Sequence, residues 1–178
     1  MSTSKSFLAR CHPDWVLAGS IVVQSLDMGR DEVVYRELAP VLLAFATGLV
    51  GRDDAQDVVS SAVVKALAAP AWPAVELPRP YLFRAVVNEA HTWHRRAAQR
   101  AEREPLAGAR TTWELPSFHP DVRAAVEQLS VQQRAAVLLT YWDDLDPRGV
   151  ADHMGISEGS VRRHLARARA RLRKVLDD

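Results

Sequence analysis

The sequence predicts an all-α protein of two small helical domains joined by a flexible linker, the C-terminal one a helix-turn-helix. Three observations predict it. Apolar residues recur at helical spacing in successive segments, no run shows the two-residue alternation of a half-buried strand, and the chain ends in a capped, arginine-dense helix. A length of 178 residues with 48 % hydrophobic residues suffices for one domain or two small cores.

Residues 1–30 read as a disordered N-terminal extension. Lys5 and Arg10 precede an apolar segment from Trp15 to Val23, the outline of a signal peptide. Pro13 and Asp14 interrupt it, Gly19 and Ser20 dilute it, and no small-residue cleavage pattern comes after it. Met28 is an alternative start, since helical patterning begins just after it. Cys11 and His12 have no second pair to complete a metal site, and His91 with His94 has no further ligand nearby. The single cysteine excludes an internal disulfide and fits a reducing cytoplasm. No apolar run approaches the roughly 18 residues that would cross a membrane.

Residues 31–100 carry three helices. Val34, Leu38, Val41, Leu42, Phe45 and Leu49 mark one face of the first, which Gly51 ends. The second starts at a cap on Asp53, with Gln56 three residues on as in a capping box, and buries Val59, Val63, Ala66 and Leu67 until Pro70 closes it. A loop from Ala71 to Arg79 leads through Pro80 into a long helix with Leu82, Val86, Ala90 and Trp93 inward and a basic end at Arg95, Arg96 and Arg100. From 101 to 118 periodicity fades while Glu102, Glu104, Pro105, Gly108 and Pro116 accumulate, the composition of a linker.

Residues 119–178 form the second domain. Val122, Val126 and Leu129 mark a short helix, and Ser130 with Gln133 makes a capping box. It opens a helix whose Val137, Leu138, Tyr141 and Trp142 make the core on which the helix-turn-helix packs. Asp146 caps the next helix and Pro147 sits where a missing N–H costs nothing. Val150 and Met154 are its buried face. Gly155 can adopt the left-handed conformation that ends it, Ile156 fills the angle, and Ser157 caps the last helix. There Val161, Leu165, Ala168 and Leu172 form the inner stripe, while Gly159, Arg163, Ala166, Ala170 and Lys174 point outward with Arg162 and Arg167 at the edges.

This is the spacing of a DNA-reading unit, with small residues among arginines that let the backbone approach a groove. A solvated basic helix of no specific purpose would not explain the preceding helix, turn and cap. The net charge is only +1, so DNA affinity rests on segregation of Asp143, Asp144 and Asp146 from the arginines downstream. Such a chain should bind DNA weakly alone.

In its order of parts, residues 32–178 resemble the bacterial RNA polymerase sigma factors of the extracytoplasmic-function group, within the sigma-70 superfamily. Leu129-Ser130-Val131-Gln132-Gln133-Arg134, Val137 to Trp142, and Val150 to Val161 resemble the family's region 4, which binds the promoter element near −35. Asp53 to Val59 and Tyr81 to Ala90 resemble region 2, which binds the polymerase clamp and melts the element near −10. Region 3 is absent, as the group implies. The resemblance implies core RNA polymerase and promoter DNA as partners, an anti-sigma factor as a further one, and no membrane, cofactor or catalytic residue. Asp54, Gln56, Asp57 and Ser60 would meet the polymerase. Asp57 matches the family's acid, while Gln56, Ser60 and Val63 depart from the usual acidic, glutamine and aromatic types.

For the −35 element the resemblance implies contacts from Ser157, Glu158, Ser160, Arg162, Arg163 and Arg167. Arg163, central on the outward face, is placed to grip guanine through two hydrogen bonds. Arg169, Arg171 and Arg173 are either solvated or bound. Gly149 and His164 stand where the family often has an acid and an arginine. For the −10 element the implied residues are Trp72, Glu76 and Arg79 in the loop, then Arg84, Asn88, Arg95 and Arg96. Trp72 reads equally as a base-stacking platform and as a core plug. The alternative function is a helix-turn-helix repressor or activator that acts without being a polymerase subunit, and it would footprint alone as a dimer on a palindrome. A recombinase would need a strand-rich nucleophile domain, of which the N-terminal half has no sign.

Overall fold

The structure is a computed structural model that describes residues 29–103 and 125–176. The extension up to residue 28, the linker from 104 onward and Val122 fall outside the described residues.

Three helices make the N-terminal half: α1 (Arg30–Val50), α2 (Arg52–Leu67) and α3 (Pro78–Arg103), with a one-turn 3-10 helix at Trp72–Ala74 between α2 and α3. A helical turn at 125–127 leads into α4 (Val131–Tyr141), α5 (Pro147–Met154) and α6 (Glu158–Leu176). Among the described residues there is no strand. The α3 helix runs three residues past the expected end at Arg100, because Ala101 and Glu102 are as good helix formers as the residues before them.

One glycine serves two helices. Gly51 sits at φ 92°, where a side chain would be strained, and its N–H donates to Thr47 O at 3.0 Å to close α1. The same residue is the N-cap of α2, so that helix starts at Arg52 without a side-chain cap, and the capping box expected on Asp53 does not form.

Leu42, Phe45, Leu49, Val59, Val63, Leu82, Val86 and Ala90 are buried in the N-terminal half, on the faces expected. By length and composition α1 is apolar enough to cross a membrane, with a mean hydropathy of 1.6 over an 18-residue window, contrary to the sequence expectation. Its apolar face instead packs on α2 and α3 as the core helix of a globular half, and its charges crowd the first two turns.

In the C-terminal half the core of α4 is phased differently from the expectation. Tyr141 and Trp142 are exposed, whereas Ala135, Ala136, Leu138 and Leu139 are buried. The Ser130 box fixes this rotation: its hydroxyl accepts from Gln133 N at 3.3 Å while Gln133 Oε1 accepts from Ser130 N at 3.1 Å.

The two halves share one continuous hydrophobic core. Leu138 of α4 packs on Gly48 of α1 so closely that a Cβ there would come within 2.6 Å of its Cδ1. Phe83 of α3 meets the buried His153 of α5 edge-on at 5.2 Å. Arg79 at the start of α3 pairs with Asp143 at 3.1 Å, and the stem of Arg84 lies against Gly155 in the turn between α5 and α6. Arg134, only 3 % exposed, donates to Leu49 O at 2.8 Å, Glu127 O at 3.0 Å and Leu129 O at 3.3 Å. It thus satisfies carbonyls at the C-terminal ends of two helical segments, one in each half. Burial pushes its guanidinium down to about 10, still ionised at neutral pH.

Candidate nucleic-acid interface

The α5-turn-α6 unit is built by local chemistry. Asp146 Oδ1 accepts from Gly149 N at 2.7 Å and starts α5, with Pro147 at the first helical position. Gly155 ends it at φ 66°, ψ 36°, in the left-handed region. Ser157 Oγ accepts from Ser160 N at 3.2 Å and starts α6. Val150, Met154, Val161, Leu165 and Ala168 are buried on the inner faces. Each expected cap in this unit is present, so the angle between the helices is set by side chains within about ten residues.

The outward face of α6 is cationic and partly pre-arranged. Arg162 donates to Glu158 Oε2 at 2.9 Å, and Arg163 donates to Ser160 Oγ at 3.0 Å. Arg162, Arg163 and Arg167 are exposed, and Gly159 leaves open space beside them. Two short tethers therefore hold arginine heads near the helix start, which reduces the rotamer freedom lost on binding. Arg169 is different: its Nε donates to the Tyr141 hydroxyl at 3.1 Å, back toward α4. His164 lies half-buried on the same helix, its imidazole held below the usual value by burial and then by Arg167, Arg163 and His91.

In the N-terminal half the structure separates the loop residues. Trp72 is 2 % exposed, its indole N–H donates to Asp31 Oδ1 at 2.7 Å, and its ring packs on Tyr81 at 5.8 Å. Arg30 lies over that ring and donates to Val75 O. Trp72 is therefore a core plug, and the base-stacking expectation is corrected. The apolar ring and single polar edge are both satisfied inside the fold. Arg30 also belongs to α1 rather than to the expected N-terminal extension.

Glu76 remains exposed. Arg79 lies over the Phe83 ring at 4.9 Å besides pairing with Asp143, and Arg84 lies over the Tyr81 ring at 5.3 Å. Arg84 and Asn88 line a shallow groove between α2 and α3 together with Lys65 and Glu89. Arg95 and Arg96 are exposed farther along α3.

Sequence reasoning missed the floor of that groove. Lys65 Nζ pairs with Glu89 Oε2 at 2.5 Å, and Glu89 is only 9 % exposed. Burial alone would raise the Glu89 carboxyl, but hydrogen bonds from Lys65 and Ser61 and the charges of Lys65 and Arg96 outweigh it, so its pKa falls. The signal was Glu89 standing between Val87 and Ala90, on the inward side of a helix otherwise basic.

The opposite surface of this half is an acidic and polar stripe on α2. Gln56, Asp57 and Ser60 are exposed, Asp54 is half-buried, and Gln56 Nε2 donates to Ser60 Oγ at 3.3 Å. Ala55, Val58, Val59, Ala62 and Val63 are buried on the other side of the same helix. None of the candidate residues converges on a catalytic constellation, and among the described residues no group of acids, histidines and cysteine could hold a metal ion.

Residues 34–100 match the family model described as Sigma-70 region 2, and residues 120–172 match that of Sigma-70, region 4. The RNA polymerase sigma-E factor of Streptomyces antibioticus is 30 % identical over 154 residues, covering 82 % of this chain and 84 % of that protein. The chain belongs to the extracytoplasmic-function sigma factors. The sigma-E factor of Streptomyces coelicolor is 31 % identical over 137 residues, covering 69 % of this sigma factor and 72 % of its own length. Among solved structures, the sigma factor RpoE in complex with the anti-sigma factor NepR from Bartonella quintana matches with a TM-score of 0.60 and 25 % identity. That match covers 82 % of this sigma factor and 98 % of RpoE. CnrH in complex with the cytosolic domain of CnrY matches with a TM-score of 0.53 and 26 % identity, covering 84 % of this chain and 90 % of CnrH. The sigma factor therefore acts in transcription initiation with core RNA polymerase and promoter DNA, and a free-standing repressor or activator is not favoured.

Proposed function

We propose that this sigma factor reads the −35 element with α6, Arg163 foremost, and docks on polymerase through the α2 stripe centred on Asp57. The observation that carries the reading is the division of α6: buried Val161, Leu165 and Ala168 on one side, exposed Arg162, Arg163 and Arg167 on the other. Ser157, Glu158 and Ser160 form the end that enters the major groove, where arginine fits the O6 and N7 acceptors of guanine. Arg162 and Arg167 meet phosphates or neighbouring bases. The −10 element falls to Glu76, Arg79, Arg84, Asn88, Arg95 and Arg96, with Trp72 serving as the scaffold beneath the loop. Asp54, Gln56 and Ser60 flank Asp57 at the polymerase.

Residues 31–100 and 119–178 work as two weak readers whose joint attachment to one large enzyme raises their effective concentration on DNA. The chain contributes promoter choice and no catalytic chemistry of its own, and it works in the cytoplasm where polymerase is. An anti-sigma partner fits the reading, since both RpoE and CnrH were solved with a partner, NepR described as an anti-sigma factor and CnrY by its cytosolic domain.

Selection of −35 variants by reconstituted holoenzyme at fixed salt tests the assignment. Arg163→Ala should cost about 1 to 3 kcal/mol on the preferred sequence and relax one or two base pairs. Arg173→Ala should lower affinity evenly, if at all, and in a salt-dependent way. An unchanged selection with Arg163→Ala and an altered one with Arg173→Ala would mean that α6 docks by another face.

A further inference from the structure

Small side chains keep the groove between α2 and α3 open. Ala62 and Ala66 of α2 and Ala85 of α3 line it, and it encloses about 260 Å³. On α3 its lining residues Tyr81, Arg84, Ala85, Asn88 and Glu89 follow at intervals of three and four, a single helix face. The core contacts of α3 are carried by a neighbouring face, Leu82, Phe83, Val86, Val87 and Ala90, so packing does not account for the polar one.

The floor of the groove is lopsided in its hydrogen bonding. Buried Glu89 is the one acid among the residues lining it. Its Oε2 accepts from Lys65 Nζ at 2.5 Å, and Ser61 also hydrogen-bonds to it. A carboxylate has about four lone-pair sites, and what Lys65 and Ser61 leave can only accept. Donors stand around it on exposed side chains: the remaining N–H groups of Lys65, the Asn88 amide and the Arg84 guanidinium.

Arg84 and Asn88 belong to the set assigned to the −10 element. A protruding helix can enter a groove of duplex DNA, whereas a concave site receives only what projects from the DNA. In a melted element that is an unpaired base. The volume lies just under the roughly 300 to 1,000 Å³ of sites for drug-sized ligands, which is the scale of one base. At the rim the Arg84 guanidinium, 5.3 Å from the centre of the Tyr81 ring, offers a planar cation on which a base can stack.

Resting on the sigma-factor reading, we propose that this groove takes one unpaired base of the −10 element, and that Glu89, held by Lys65, selects a base with an exocyclic amine. Adenine, cytosine and guanine each bring an amine that donates to the carboxylate. Thymine has none, and its one ring N–H lies between two carbonyl oxygens that the carboxylate repels. Glu89 stays ionised for this task because Lys65, Ser61 and Arg96 outweigh its burial. A wrong base therefore leaves a buried charge facing an oxygen, which makes the refusal strong.

Selection of −10 variants by reconstituted holoenzyme, with the −35 element fixed, tests this. At one position the wild-type chain should select against thymine by roughly tenfold or more. Glu89→Gln, whose amide both accepts and donates, should admit thymine there to within about threefold of the amine bases and leave the other positions unchanged. Thymine tolerated at every position, or the same refusal by Glu89→Gln, would overturn the proposal. So would a loss of preference spread over the whole element, which is the mark of a disturbed fold.

A second measurement needs no variant. At the selected position cytosine is replaced by uracil, or adenine or guanine by hypoxanthine, so that the amine alone is lost. Binding of the wild-type holoenzyme to the single-stranded −10 oligonucleotide should fall roughly tenfold, with little change when the same exchange is made at a flanking position. Equal binding at the selected position would overturn Glu89 as the reader. If the wild-type chain with core polymerase selects neither a −10 nor a −35 sequence, it is the sigma-factor reading that fails.

Discussion

Arg134 and Asp31 each show how a single polar side chain decides a piece of this fold. Arg134 is buried, and its two terminal nitrogens serve three carbonyls from two segments, one in each half. Asp31 accepts the one polar edge of a buried tryptophan. Asp31→Ala would leave the Trp72 indole N–H unpaired in the interior, which should destabilise the protein by about 1 to 3 kcal/mol. Chemical denaturation reads this, and an unchanged midpoint would mean that the tryptophan finds another partner. On the surface, Asp57→Arg should reverse a charge on α2 while dichroism stays that of the wild type. Recovery with core polymerase should then drop sharply; undiminished recovery would remove Asp57 from the interface. The sequence could not show that Trp72 faces inward, because its partner is 41 positions away and alternation with prolines and alanines suits a plug and a platform equally.

Helices were the legible level, and caps explain why. Ser130, Asp146, Gly155 and Ser157 each act within four residues of their own position, so their geometry could be read directly from the chain. Replacing Ser130 or Asp146 by alanine should cost about 1 kcal/mol each, measurable as a lower melting temperature with the fold retained. Asp53 misled because Gly51, at a conformation open chiefly to glycine, had already ended one helix and started the next. Tyr141 and Trp142 misled for a different reason. Their bulk suggested core, but the phase set by the Ser130 box turns Leu138 and Leu139 inward, and Tyr141 keeps its hydroxyl at the surface to receive Arg169.

At the scale of the whole molecule, the packing of one half on the other had no sequence signature. Gly48 against Leu138, Phe83 against His153 and Arg84 against Gly155 join residues 70 or more positions apart, each unremarkable in its own helix. Three imidazoles, two on α3 and one on α6, give a pH dependence with a definite sign. His91, His94 and His164 are held below the ordinary value of 6.5 in the folded protein, so the unfolded chain binds their protons more readily. Their contribution to stability is fully present above pH 6.5 and is lost as pH falls from there through the depressed folded values. The melting temperature should therefore be lower at pH 5.5 than at 7.5, and the H91Q/H94Q/H164Q variant should flatten that difference. That these two helical halves direct polymerase to promoters can be checked in one assay, run-off transcription from a promoter library with core RNA polymerase and the purified chain. Transcripts should depend on the added chain and start at a fixed distance from paired −35 and −10 sequences. No chain-dependent transcript, together with a footprint of the chain alone on a palindrome, would contradict a role as a polymerase subunit.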